Sequence, residues 1–146
     1  MAQTSAFPSG ELAQRLKKVA ILGSLPQTQL RTLAKSAEVV SFEEGETVVK
    51  HGDKGNGLYL LLDGSVEVRR KSRRLAQLGA GQFFGEMSLF DNQPRSADVV
   101  AVCPSKMAVL SKWDFWGFAA SEPSVVLSVL EEMSRRLRAA NDALTD

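Results

Sequence analysis

The residues best suited to chemistry lie together in Gly81–Ala101, GQFFGEMSLFDNQPRSADVVA. Gly85 allows a close backbone approach or a positive φ angle. Glu86-Met87-Ser88-Leu89-Phe90 can form a helical turn whose free N–H groups point back toward that glycine, and such a terminus is a natural anion site. Asp91-Asn92-Gln93-Pro94 supplies turn chemistry. Arg95 opens the following strand, and arginine presents the planar fork suited to bidentate phosphate binding. Glu86 would repel a phosphate, but it can accept hydrogen bonds from a sugar hydroxyl. A glycine turn, helix amides, one acid and one arginine together suit a ribose phosphate with a single negative charge.

These residues must be held by elements whose periods are readable along the chain. Leu12, Leu16 and Val19 fall on one helical face, with Ser9 available as an N-cap and Gly23 as a terminator. Pro26 stands where a first helical residue is welcome, and Leu30, Leu33, Ala34 and Ala37 continue a second stripe. From Val39 to Leu110 the pattern changes to short β-rich runs: EVVSF, TVVK, LYLLL, SVEVR, RLAQL, SADVVAV and KMAVL. Eight of the eleven glycines punctuate this stretch, which indicates a compact barrel or sandwich. After Trp113 the helical period returns. Val126, Leu130, Met133, Leu137, Ala140 and Leu144 advance by alternating fours and threes, a heptad seam short of an independent coiled coil.

The composition bounds the rest. A chain of 146 residues with 44% apolar and 24% charged residues suits one globular domain, residues 1–146, with helices over 10–37, a barrel over 38–112 and C-terminal helices over 113–145. Eighteen basic residues against seventeen acidic ones argue against a protein that coats nucleic acid or an anionic membrane. The lone Cys103 cannot form an internal disulfide and reads as a core residue, and the lone His51 reads as polar surface. No metal and no cofactor are expected. No secretory signal or run long enough to span a bilayer is present, so a cytoplasmic protein is expected.

The stretch FFGEMSLFDNQPRSADV resembles the phosphate-binding cassette of the cyclic-nucleotide-binding domain family, found in catabolite-activator proteins and in protein kinase A regulatory subunits. The upstream FEEGETVVKHGDKGNGLYLLLDGSVEV resembles that family's first strands and turns, and the likeness spans roughly residues 12 to 145. The resemblance implies an eight-stranded antiparallel jelly-roll β-barrel, mainly β, with N-terminal helices and a C-terminal helical lid. It implies no enzyme, but a regulatory sensor for cyclic AMP, with cyclic GMP as the other candidate. The implied ligand-binding set is Phe84, Gly85, Glu86, Met87, Ser88, Arg95, Ser96 and Ala97. Within it Gly85 and Met87 offer amides, Glu86 takes the ribose 2′-hydroxyl, Arg95 the cyclic phosphate, and Ser96 a further contact. Arg135, Arg138 and Asn141 are the candidates for covering the base. Asn56 and Asp98 depart from the family, which often has Asp and Thr there, and Asp98 would bring an acid near the phosphate unless it is paired.

Alternatives stand beside these readings. Arg95 could form a structural ion pair with Glu86 or Asp98, and the domain could be a ligand-blind dimerisation module. The last helix could be a lid or a contact with a second copy or an effector protein. The basic run Arg69-Arg70-Lys71-Ser72-Arg73-Arg74 reads as a solvated hairpin tip, with an anionic partner as the other reading. Trp113, Phe115, Trp116 and Phe118 read as packing between barrel and helices rather than as base-stacking residues. A DNA-binding domain is not expected within a chain ending at Asp146, although a fragment of a channel, kinase or transcription regulator would look the same.

Overall fold

The computed structural model describes residues 3–5, 7–55, 57–91 and 93–145, with backbone alone for 3–5, 9 and 145. Two helices, α1 (Ser9–Lys17) and α2 (Gln27–Ser36), follow a short strand β1 (Gln3–Ser5). Then come β2 (Glu38–Phe42), β3 (Thr47–Val49), β4 (Gly57–Asp63), β5 (Ser65–Arg70), β6 (Arg73–Gly79) and β7 (Phe83–Phe84). A single turn of helix, α3 (Met87–Phe90), precedes β8 (Asp98–Ala101) and β9 (Ser105–Ser111). Helices α4 (Lys112–Ser121) and α5 (Ser124–Thr145) complete the described chain.

The strands form two antiparallel sheets, in the orders β1-β2-β9-β4-β7 and β3-β8-β5-β6. This corrects the expectation of one eight-stranded barrel. Each sheet keeps its own edges, so the architecture is two sheets face to face. The seven apolar runs all become strands. The two additional ones, β1 and β7, are too short and too weakly patterned to be read from sequence.

The burial of β4 explains its unbroken run of apolar residues. Leu58, Leu60 and Leu62 face the helices, in a core shared with Leu16, Leu30, Phe115 and Val129. Leu61 points the other way, into a second core between the sheets with Phe42, Val66, Phe84 and Met107. A strand buried on both faces needs no polar alternation. Strand β9 does the same, with Met107 inward and Ala108 and Leu110 toward the helices.

Helix boundaries differ slightly from expectation. Pro8 rather than Ser9 occupies the N-cap of α1, and Pro26 is the N-cap of α2. In the first segment α1 ends at Lys17, and Gly23 instead closes a 3-10 turn at Ala20–Leu22. Cys103 is half-buried in the turn between β8 and β9, not a core residue, because that turn lies beyond the inter-sheet packing. No helix among the described residues is long and apolar enough to cross a membrane.

Candidate functional site

A cavity of about 570 Å³ opens between the second sheet, the α3 turn and α5. Its lining brings together all eight candidate site residues: Phe84, Gly85, Glu86, Met87, Ser88, Arg95, Ser96 and Ala97. Their placement follows from the glycine turn. Gly85 has φ +84, a backbone state that an L side chain resists, and an added Cβ would lie 2.7 Å from Arg95 Nη1 and 2.8 Å from Gly57 O. The chain thereby leaves β7 sharply and enters α3, where Ser88 N–H donates to Gly85 O and Leu89 N–H to Glu86 O. The N–H groups before Ser88 stand at the start of a helical turn, where the first donors have no intrahelical acceptor.

Arg95 is half-buried and has no carboxylate partner among the described residues. Its Nη1 donates to Gly85 O at 3.3 Å and its Nη2 to Gly57 O at 3.2 Å. Its guanidinium carbon lies 5.8 Å from the centre of the Tyr59 ring, which stacks on Phe84. Gly55 makes room for it, since a Cβ there would fall 2.0 Å from Arg95 Nε. Burial pulls the Arg95 guanidinium below its ordinary value, while Tyr59 and Glu86 act in the opposite direction. Burial raises the Tyr59 phenol, and the Arg95 charge opposes that rise. Two carbonyls do not neutralise a cation, so the Arg95 guanidinium has no counter-charge in direct contact, in a wall that also holds Glu86, Asp91, Glu132 and Arg136.

The two acids that could have paired with Arg95 are engaged elsewhere. Glu86, only 8% exposed, accepts from Arg136 Nη1 of α5 at 3.0 Å. Asp98 accepts from the His51 backbone N–H at 2.6 Å, which removes the difficulty of an acid facing the phosphate side. Ser88 is buried and its hydroxyl donates to Gly85 O at 2.8 Å, so it braces the turn. Ser96 and Met87 are exposed at the cavity rim, while Phe84 and Ala97 are buried beneath it. Asn56 lies outside the described residues.

Helix α5 turns one face to the cavity. Glu132, Arg136, Ala139, Ala140 and Ala143 line it. Arg135, Arg138 and Asn141, the candidates for covering the base, are not among the lining residues. The reason is helical phase: Glu132, Arg136, Ala139 and Ala143 are spaced by four, three and four along one face. Arg135 instead pairs with Glu132 at 2.8 Å, on the flank of that face. Arg136, missed by sequence reasoning, donates from Nη2 to Phe83 O at 2.7 Å, from Nε to Glu132 at 3.1 Å, and sits 4.4 Å from the Phe83 ring centre. The Glu132–Arg136 spacing was a legible signal for a helix pair, but not for the contact with Glu86.

Helix α4 is tied to the same site. Trp116 Nε1 donates to Leu89 O of α3 at 2.8 Å, and Phe90, Phe115 and Trp116 meet edge to face. Phe115 and Phe118 are buried, whereas Trp113 is 80% exposed and takes no part in that packing.

The comparisons with known proteins agree with this architecture. The chain belongs to the cyclic nucleotide-binding domain family, whose pattern matches residues 39–122. It is 26% identical over 136 residues to a CRP-like cAMP-activated global transcriptional regulator of Mycobacterium tuberculosis, a match covering 90% of this chain and 61% of that protein. The chain therefore spans about three fifths of the length of that relative. The crystal structure of Thermus thermophilus catabolite activator protein superposes with a TM-score of 0.77 at 30% identity, over 86% of this chain and 61% of that one. A cyclic nucleotide-binding domain from Methylobacillus flagellatus superposes with a TM-score of 0.81 at 26% identity, over 99% and 88%.

Proposed function

We propose that this protein binds a purine cyclic mononucleotide, with cyclic AMP favoured, and reports its presence through α5 as a regulatory sensor and not an enzyme. The observation that carries this reading is Arg95: a half-buried guanidinium on the cavity wall with no carboxylate partner among the described residues, Glu86 and Asp98 being otherwise engaged. A monoanionic cyclic phosphate supplies the missing charge. The amides of Gly85 and Met87 and the Ser96 hydroxyl complete the phosphate contacts, and Glu86 accepts from the ribose 2′-hydroxyl. The base then lies against Val49, Val68, Leu75, Val99, Ala139 and Ala143, the apolar part of a lining that also holds Gln82 and Glu132. Such a wall favours burial of any purine and discriminates weakly. The preference for cyclic AMP rests on the Mycobacterium relative, described as cAMP-activated.

Calorimetric titration with cyclic AMP and cyclic GMP tests this function. The expected result is binding of both, with cyclic AMP tighter by less than about tenfold, or 1.4 kcal/mol. No heat with either nucleotide up to millimolar concentration would reject it.

A second reading concerns α5. Leu130, Leu137 and Leu144 of its heptad seam are 48, 63 and 85% exposed, which supports a contact with a second copy alongside the sensor role. Sedimentation should then show a dimer, and a monomer for Leu137→Glu. A monomeric wild type would remove this reading.

A further inference from the structure

The β5–β6 hairpin gathers charge that the fold itself does not require. Arg69 stands directly across from Arg74, and Arg70 across from Arg73. Like charges facing one another across an antiparallel pair destabilise it. The two residues at the tip, Lys71 and Ser72, have φ +52 and +66, although the left-handed conformation there favours glycine, asparagine or aspartate. Residues 70–77 are exposed throughout, so no core packing dictates these choices. Internal neutralisation is slight. Arg69 pairs with Glu67 at 2.9 Å and faces Asp98, while Arg74 donates only to the neutral amide of Gln77. Arg70, Lys71, Arg73 and Arg74 have no carboxylate partner among the described residues.

We propose that this hairpin tip is a docking surface for an acidic segment of a partner protein. Two observations select that partner over other polyanions. The run 69–74 takes five of the eighteen Lys and Arg residues and none of the acids, leaving thirteen against seventeen Asp and Glu on the rest of the chain. An extended polyanion such as a DNA duplex or a lipid surface would meet that net negative remainder, whereas a short acidic segment meets only the tip. Four of the five cations are arginines, whose forks grip carboxylates and phosphates alike, so they set the sign of the partner's charge and not its class. The tip carries no aromatic residue for stacking on bases or for seating in a bilayer interface. Its return strand also contributes Leu75, Ala76 and Leu78 to the cavity wall, so the surface adjoins the nucleotide site without forming part of it.

The test uses the full chain, a labelled octaglutamate peptide, a short DNA duplex of arbitrary sequence, and phosphatidylcholine vesicles containing phosphatidylserine. At low ionic strength the peptide should bind more tightly than either alternative and weaken as salt is added. The combined variant Arg70→Gln, Lys71→Gln, Arg73→Gln and Arg74→Gln should lose at least about tenfold in peptide affinity. Its thermal midpoint should be unchanged or raised, because the cross-strand repulsion is gone. The inference is overturned by absent peptide binding, by equal binding to the variant, or by tighter binding of duplex or vesicles than of peptide.

Discussion

Arg95 is held by space as much as by hydrogen bonds. Its guanidinium fills the room left by two missing side chains, at Gly55 and Gly85. Gly55→Ala should therefore act as an Arg95 mutation at a distance. The added methyl cannot coexist with the present position of Nε, so cyclic AMP affinity should fall by at least about tenfold, or 1.4 kcal/mol, while far-UV circular dichroism stays the same. Wild-type affinity in Gly55→Ala would show that the guanidinium need not sit where it does. Glu86 makes a separate claim. A buried carboxylate that loses one hydrogen-bond donor costs about 1–3 kcal/mol, so 2′-deoxy cyclic AMP should bind roughly fivefold to 150-fold more weakly than cyclic AMP. Equal affinities would remove Glu86 from the ribose. The chemistry of Arg95, Glu86 and Gly85 was legible because it sits within fifteen consecutive residues, FGEMSLFDNQPRSAD. The demand on Gly55 was not, because the residue it accommodates lies far along the chain.

Among the elements, α5 is the one to which the proposed sensor role assigns movement on occupancy. It is docked by Val125 and Val129 in the helical core and by Arg136 at the cavity. A ligand that touches both the α3 turn and α5 binds the docked state better and must raise its population. Amide exchange across residues 126–144 should slow when nucleotide is added. Arg136→Ala would leave Glu86 buried without its counter-charge, at a cost of about 1–3 kcal/mol, equivalent to a drop in thermal midpoint on the order of 3–10 °C. Exchange across the same residues should quicken in this variant, and wild-type exchange rates there would argue against Arg136 as the latch. Cutting the chain after Glu122 is a poorer probe, since it also strips Val125 and Val129 from the core. Sequence periodicity identified α5 as a helix with an apolar seam but did not single out Arg136 as the residue that meets Glu86. Apolar residues occur on more than one of its faces, and the inward arginine is stable only because Glu86, Glu132 and Phe83 O meet it there. Those partners are visible only once the helix is packed.

At the scale of the whole molecule, the order of helices, strands and helices was readable from the changes of period, and the seven apolar runs gave the strands. The division into two sheets was not. It depends on which edges pair, and the short strands β1 and β7 add to the first sheet with little pattern of their own. The two-sheet frame matters because β4 is buried on both faces and carries Tyr59 against Phe84 beneath Arg95, tying the cassette to both cores. The frame thus holds a guanidinium that has no carboxylate partner among the described residues, and everything proposed for the site depends on that cation meeting a phosphate. Comparing the affinity of wild type and Arg95→Ala for cyclic AMP tests this most directly. Truncating one side of a buried charge pair costs about 2–5 kcal/mol, so the variant should stay folded and lose roughly thirtyfold to several-thousandfold in affinity. A folded Arg95→Ala protein that binds cyclic AMP within about threefold of wild type, less than 1 kcal/mol, would contradict the account.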